Sequence, residues 1–132
     1  LLMHGDLLCT DDLAYQKFRR VIRNPVMKWL FLRKRLVKRR ALATGYRRKS
    51  SLAIARKPLA IMDVNEEAVT ITMRRHQTWH LVHGHTHRPG EHTFSLDGRM
   101  ALRQVLADWQ PGRGEVLSFS AAGWRREALV PE

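Results

Sequence analysis

At residues 79–89 the sequence reads Trp-His-Leu-Val-His-Gly-His-Thr-His-Arg-Pro. The first four residues have the short apolar pattern of a buried strand, and polar residues follow where that strand would end. Three histidines, His83, His85 and His87, alternate with other residues there. Neutral imidazole binds manganese, iron or zinc, and Gly84 would permit a close turn. The stretch predicts a strand that carries metal ligands at its carboxyl end.

A second strand of the same kind opens the chain. Residues 1–3 are apolar and lead into His4-Gly5-Asp6. Sites in α/β proteins collect side chains from the carboxyl ends of several strands. We therefore expect His4 to lie near the histidines that follow the later strand.

The chain between these two strands predicts helices. One would run from a cap at Asp11 or Asp12 to about Arg23, and a second from about Val26 to Ala43. A basic, serine-containing connection at 45–58 would follow, then a helix capped by Asp63 and running to about His76. From residue 79 onward about five strands are expected, with turns that include Asp97-Gly98. This order predicts an α/β fold.

Composition sets the class of protein. The 132 residues fit one domain with its own core. A hydrophobic content of 44% and a charged content of 27% exclude a disordered chain, and no window has the roughly 18 uncharged apolar residues of a spanning helix. The single cysteine, Cys9, excludes an internal disulfide and favours a reducing compartment. The chain lacks an initiator Met, so we expect a piece of a longer protein.

The positive charge is concentrated in one segment. Between Leu13 and Met62 there are 16 Lys or Arg and no acidic residue, within a net charge of +12 for the chain. The remainder is therefore −4, since 12 minus 16 is −4. An anionic partner should meet the protein on one face.

The two histidine segments together resemble a known superfamily. His4-Gly5-Asp6 and Gly84-His85-Thr86-His87 are similar to the last two metal-binding blocks of the calcineurin-like metallophosphoesterases. Longer blocks at 3–19, 60–65 and 83–89 resemble the pyrophosphohydrolase family of lipid A biosynthesis, which acts on UDP-2,3-diacylglucosamine. The Leu-Cys-Thr-Asp-Asp run at 8–12 makes the resemblance specific, and the match is weaker from Gly90 onward.

The resemblance implies the C-terminal half of an αββα sandwich. Residues 1–132 would form a partial metallophosphoesterase domain, with a helical cap inserted at about 11–58. The family's Asp-x-His, Gly-Asp and Gly-Asn-His/Arg-Asp blocks would lie upstream of His4. Without their carboxylates, three imidazoles hold two divalent ions poorly, so the chain alone is expected to be inactive.

The resemblance also implies the chemistry. Two Mn²⁺ ions would activate a water, and His4, His85 and His87 would be their ligands and the catalytic residues. His85 and His87 would serve different ions, with His4 beside His85. Attack on the phosphorus attached to uridine would release UMP and 2,3-diacylglucosamine 1-phosphate.

The substrate would be bound mainly by residues of the cap region. By resemblance these are Asp12, Tyr15, Arg47, Ser50 and Lys57, together with His85. The match near Ser50 and Lys57 is loose, so Ser51 and Arg56 are alternatives. Asp12 could instead only cap its helix, and Lys57 could be a solvated charge.

The basic segment suggests a lipid surface. Seven Lys or Arg lie between Lys28 and Arg40, and each contributes about 1 kcal/mol beside an anionic leaflet. We expect a peripheral protein on the cytoplasmic face of the inner membrane, with Trp29, Phe31 and Leu32 near the acyl chains. The alternative is a helix packed on the sandwich with a solvated basic face.

Two other functions remain open. A different calcineurin-like phosphoesterase would act on nucleotides or phosphoproteins and would not need the basic helix with its aromatic residues. A nucleic-acid-binding module would use the positive charge but leaves the histidines unexplained, so no nucleic acid partner is expected. Four histidines, His76, His80, His83 and His92, receive no ligand role, although His83 could orient the loop from behind.

Overall fold

The computed structural model describes residues 1–54 and 57–129. It divides into two units. One comprises Leu1–Leu8 with Val64–Glu132, and the other comprises Cys9–Asp63. No helix in the described ranges combines the length and apolar character needed to cross a membrane. The mixture of helices and a largely parallel sheet confirms the α/β class.

A four-stranded sheet forms the first unit. Its strands are β1 (Leu2–Met3), β2 (His80–His83), β3 (Gly90–Leu96) and β4 (Arg99–Val105), in the order β1-β2-β4-β3. Strands β1, β2 and β4 are parallel, and β3 is antiparallel to β4. Met3 lies opposite His83. The two parallel strands therefore end side by side, and both histidine segments leave the same edge of the sheet.

One helix, α4 (Glu66–Arg75), packs on this sheet. Its buried residues Val69 and Met73 share a core cluster with strand residues that include Leu81 and Leu96. The cap is Asn65, whose side chain accepts a hydrogen bond from the Ala68 N–H at 2.9 Å, so the expectation of a cap at Asp63 was wrong. An extended cap backbone lets its own side chain reach back to the first turn.

The last two strands, β5 (Gly114–Ser120) and β6 (Gly123–Leu129), form a separate hairpin. Arg126 on β6 donates to the Val105 carbonyl at 3.0 Å, beyond the hairpin itself. With β2, β3 and β4, this hairpin confirms the expected five strands after residue 79. The Asp97-Gly98 turn between β3 and β4 is also confirmed, and both residues have the positive φ of a tight hairpin.

The second unit is helical. It contains α1 (Leu13–Arg23), α2 (Pro25–Leu32), α3 (Leu36–Ile54) and a short 3-10 helix at Leu59–Met62. Asp12 caps α1, as one expectation had it, by accepting from the Tyr15 N–H at 2.9 Å. Whether this unit is the inserted cap expected at about 11–58 stays a prediction.

The expected second helix differs from the observed one in two respects. In the structure, α2 ends at Leu32 and α3 begins at Leu36, so residues 33–35 interrupt the expected helix. In addition, α3 continues to Ile54, through residues that were expected to form a non-helical connection. Lys34 and Lys38, four residues apart, would repel each other in a continuous helix. Gly45 costs a helix only about 1 kcal/mol, and the Lys and Arg residues after it favour helix. The helix preference of these Lys and Arg residues therefore outweighed the unfavourable contributions of Gly45 and the serines to helix formation.

Candidate metal centre

His4 and His85 come together at the carboxyl edge of the sheet. Their ring centroids are 4.9 Å apart, with the ring planes at 57°. The two loops are joined by the backbone, because the Gly84 N–H donates to the His4 carbonyl at 3.1 Å. Two imidazoles at this separation can bind one ion between them. Of the three histidines expected to converge, His4 and His85 therefore lie side by side, and their role as metal ligands stays a prediction.

A buried carboxylate orients His4. Asp6 is 3% exposed, and its Oδ1 lies 3.1 Å from His4 Nδ1. The imidazole of His4 itself remains 62% exposed. Since Nδ1 faces the carboxylate, Nε2 is the nitrogen left for a metal ion, which is the usual arrangement of a carboxylate behind a ligating histidine.

The histidine loop adopts an unusual backbone. His85 and His87 have φ angles of 70° and 55°, in the left-handed region that costs a residue with a side chain about 1–3 kcal/mol. Gly84 has no such angle, and a Cβ there would meet only the His4 carbonyl oxygen at 3.8 Å. The expected use of Gly84 as the turn-forming glycine was therefore wrong.

The glycine that the site requires is Gly5. It has a φ of 100°, and a Cβ on it would lie 2.9 Å from both the Gly84 carbonyl oxygen and His83 Nδ1. Real Cβ atoms do not approach other atoms so closely. The two histidine loops can therefore touch only because residue 5 has no side chain.

His87 has a different neighbour. Its Nδ1 lies 3.6 Å from Asp108 Oδ2, and 61% of its side chain is exposed. A hydrogen bond from Gln110 lowers the pKa of Asp108 against a smaller effect of burial, and the charges of His87 and Arg113 lower it further. In the residues that the structure describes, no three His, Cys, Asp or Glu side chains converge on one point. Placing His87 at a second ion stays a prediction.

The remaining chemistry of the edge fits a metal ion. The donors are imidazole nitrogens, which suit manganese, iron or zinc. Thr86 Oγ1, between the two histidines, is buried and has no hydrogen-bond partner among the described residues. A buried hydroxyl without a partner is uncommon in folded proteins.

Two of the expected substrate residues form an ion pair in the helical unit. Lys57 Nζ donates to Asp12 Oδ2, with side-chain exposures of 20% and 10%. Burial by itself would raise the pKa of Asp12, but the hydrogen bonds from Lys57 and the Tyr15 N–H and the Lys57 charge lower it overall. Lys57 is thus not a freely solvated charge.

The other expected substrate residues lie on two helices of the same unit. Tyr15 is half-buried in the first turn of α1, and Arg47 and Ser50 are exposed on α3. Ser51, the alternative to Ser50, donates its hydroxyl to the Arg47 carbonyl at 3.0 Å, which is helix back-bonding. Arg56, the alternative to Lys57, lies outside the described residues.

Several apolar side chains of α2 are exposed. Trp29, Phe31 and Leu32 are 51%, 37% and 62% accessible. The guanidinium of Arg33 lies 3.8 Å from the centre of the Trp29 ring, a cation–π contact. A groove of about 490 Å³ lies along one face of α3, lined by lysines and by apolar and aromatic residues: Lys34, Lys38, Ala41, Leu42, Gly45, Tyr46 and Lys49.

Sequence reasoning gave no role to Asp6, Asp108 or Arg103. Asp6 stands in the same short motif as His4, so a search for a carboxylate near a ligand histidine would have found it. Asp108 and Arg103 lie about 20 residues after the histidines they approach. No local sequence pattern indicates a role for either residue. Arg103, for example, reaches His83 only because β2 pairs with β4.

Several known proteins are similar to this chain in sequence. No protein-family model matches the chain. It is 48% identical to the UDP-2,3-diacylglucosamine hydrolase of Edwardsiella ictaluri over 124 residues, which are 93% of this chain and 48% of that protein. The hydrolase of the same name from Azotobacter vinelandii is 48% identical over 94% of this chain and 51% of its own length. For Aeromonas salmonicida the figures are 48%, 96% and 50%.

The chain thus spans about half the length of the curated relatives it matches. This agrees with the resemblance found in the motif blocks, which fitted one half of such a protein. The chain is similar, over nearly all of its own length, to about half of each of these UDP-2,3-diacylglucosamine hydrolases.

Proposed function

We propose that the protein containing this chain hydrolyses the pyrophosphate bond of UDP-2,3-diacylglucosamine, giving UMP and 2,3-diacylglucosamine 1-phosphate in lipid A biosynthesis. The contact of His4 with His85 at the end of two parallel strands carries the proposal. It stands in a chain 48% identical to proteins named UDP-2,3-diacylglucosamine hydrolase. The chain would form half of a calcineurin-like αββα sandwich, with a helical cap inserted at about 11–58.

The metal of this site would be manganese. His4 and His85 would hold one ion, and His87 would serve a second ion whose other ligands lie beyond this chain. Bound divalent ions supply Lewis acidity to phosphoryl oxygens and lower the pKa of water. Asp6 fixes the His4 ring with Nε2 outward, and the hydrogen bond from Gly84 to His4 fixes the spacing of the two ligand loops.

Substrate binding would fall to the basic helical unit and to His85. Arg47 and Ser50 are three residues apart on α3, so they share a helix face and can meet one phosphate group. Asp12 neutralises much of the Lys57 charge and holds the ammonium in one place. Tyr15 adds a hydroxyl donor one turn along α1 from Asp12.

The same unit would bind an anionic membrane surface on the cytoplasmic face of the inner membrane. Exposed Trp29, Phe31 and Leu32 offer apolar area beside the seven cations between Lys28 and Arg40. Cationic helices with exposed aromatic residues bind the headgroup region of anionic bilayers. The lysine-lined groove on α3 adds a surface of the same character.

The test is a fusion in which this chain replaces the matching half of the Edwardsiella ictaluri relative. The fusion with Mn²⁺ should release UMP from UDP-2,3-diacylglucosamine, and the 132-residue chain alone should not. A folded fusion that binds Mn²⁺ but releases no UMP would show that the proposed function is wrong. Turnover by the chain alone would show that its residues suffice for catalysis.

The membrane proposal has its own measurement. Flotation with vesicles that contain phosphatidylglycerol should carry the fusion upward, and vesicles of phosphatidylcholine alone should not. Trp29→Ser with Phe31→Ser should reduce flotation several-fold, because both exposed rings are removed. Unchanged flotation of that variant would reject these residues as membrane contacts.

A further inference from the structure

We propose that His83 is a positioning residue, which in one fixed tautomer holds the His85 loop in its metal-binding conformation. His83 is the last residue of β2 and is 0% exposed. Its two ring nitrogens contact the Gly84 carbonyl oxygen and Arg103. The inference deepens the proposed function and rests on it, because it concerns how the ligands His4 and His85 are held.

The hydrogen bonds of His83 determine which ring nitrogen carries the proton. Arg103 Nη1 lies 3.2 Å from His83 Nε2. A guanidinium only donates hydrogen bonds, so Nε2 must be the acceptor. The hydrogen is then on Nδ1, which donates to the Gly84 carbonyl oxygen at 2.9 Å.

The backbone of Gly84 is hydrogen-bonded to His83, to Thr86 and to His4. Its carbonyl accepts hydrogen bonds from His83 Nδ1–H and from the Thr86 N–H, the latter at 2.9 Å. The Gly84 N–H is bound to the His4 carbonyl at 3.1 Å. One residue, with both its backbone polar groups engaged, therefore connects the strand-end histidine with both ligand loops.

This restraint acts on a segment that would not hold its shape alone. His85 follows Gly84 directly and has a φ of 70°. A left-handed residue with a side chain persists where the surrounding structure fixes it. A Cβ on Gly5 would lie 2.9 Å from both His83 Nδ1 and the Gly84 oxygen, so the backbone of residue 5 passes close to this hydrogen bond. Loss of the Nδ1 donor would leave the Gly84 carbonyl with the Thr86 N–H alone and would let His85 relax.

A purely structural role and a positioning role predict different results. If His83 only fills space, any substitution that leaves the chain folded should leave metal binding unchanged. If it positions His85, metal affinity should follow the presence of the Nδ1–H donor, independently of stability. Changes behind metal-ligating residues typically cost about 10- to 100-fold in metal affinity.

The first test is a direct measurement of the tautomer. The fusion described above, with ¹⁵N-labelled histidine, should give long-range ¹H–¹⁵N correlations in which His83 carries its proton on Nδ1. Assignment comes from loss of the signals in a His83→Asn variant. A proton on Nε2 would overturn the proposal, and this measurement requires neither metal nor substrate.

The second test is Mn²⁺ affinity, measured by electron paramagnetic resonance of the free ion. His83→Asn places an amide N–H where Nδ1–H was and should bind within about 3-fold of the parent. His83→Gln and His83→Leu lack a donor there and should bind about 10- to 100-fold more weakly. The matched control is His80→Leu, which changes a histidine at the other end of β2, where it bonds Gln104 at 2.8 Å. That variant should bind as the parent does.

The outcomes separate the two proposals. If His83→Leu is folded by thermal melting and binds Mn²⁺ like the parent, the positioning role is wrong whatever the fusion hydrolyses. If the donor dependence appears but the parent fusion releases no UMP, the positioning role stands and the proposed substrate is wrong.

Discussion

Replacing Gly5 with alanine should destabilise the edge of the sheet where His4 and His85 meet. The substitution has two separate costs. A φ of 100° places the new side chain in a disfavoured backbone region, at about 1–2 kcal/mol. The Cβ would also lie 2.9 Å from the Gly84 oxygen and His83 Nδ1, and such overpacking costs about 1–3 kcal/mol. The sum is a loss of about 2–5 kcal/mol.

Two other glycines separate these costs. Gly98→Ala imposes a similar φ strain, at 77°, but its Cβ has open space around it, so it should lose about 1–2 kcal/mol. Gly45→Ala lies within α3 with nothing within 4 Å, and it should gain about 0.5–1 kcal/mol. Relative to the parent, Gly5→Ala should therefore be the least stable variant, Gly98→Ala should be moderately less stable, and Gly45→Ala should be more stable.

The assay is urea denaturation of the fusion and its three variants, followed by circular dichroism and by Trp fluorescence. Mn²⁺ affinity, measured on the same samples, should fall for Gly5→Ala and stay constant for Gly98→Ala. If Gly5→Ala is no less stable than Gly98→Ala and binds Mn²⁺ equally well, the close approach of the two histidine loops is wrong.

Three further predictions concern other parts of the chain. His85→Ala should remove most UMP release by the fusion with little loss of stability, because the imidazole is both a ligand and a phosphate contact in the proposal; near parental turnover would reject it. Met73→Ala should cost about 2–5 kcal/mol at a residue that is 0% exposed, and Ile71→Ala, 54% exposed on the same helix, less than about 1 kcal/mol by urea denaturation. The pKa of Asp12 is lowered in the folded chain, so its ion pair with Lys57 stabilises above about pH 4 and loses that effect as the pH falls through the folded-state pKa. The stability difference between parent and Asp12→Asn should accordingly be constant from pH 7 to 5 and shrink toward pH 3, and a difference independent of pH would contradict the pairing.

The histidine pair was predictable from the sequence because each member follows an apolar strand. Residues 1–3 and 81–82 are apolar, so the polar residues after them were expected to emerge at the end of a sheet. Leu81 and Val82 are indeed buried, whereas Leu2 is 72% exposed. Parallel neighbours end at the same edge, and this brings His4 and His85 within one ring contact. The Asp97-Gly98 turn was predictable for a similar local reason, since both residues accept positive φ.

The helical unit was predicted less accurately. Capping residues and apolar positions indicated helices, but the interruption at 33–35 and the extension of α3 to Ile54 were missed. Helix ends depend on small differences between glycine cost, like-charge repulsion and capping, each of about 1 kcal/mol or less. Such small free-energy differences cannot be read from a single sequence, and the many similar Lys and Arg residues of the basic segment made the helix ends harder to predict.

By itself, the sequence determined the candidate site residues, which are the histidines after two strands, together with the concentration of positive charge in one segment and the α/β order of the elements. Tertiary structure alone decided how those residues are held. It brought Arg103 to His83, which sets the imidazole tautomer, and it made Gly5 rather than Gly84 the indispensable glycine. The physical reason is that hydrogen-bond partners and close approaches between distant segments follow from strand pairing, which joins β2 to β4 across about 20 residues of chain.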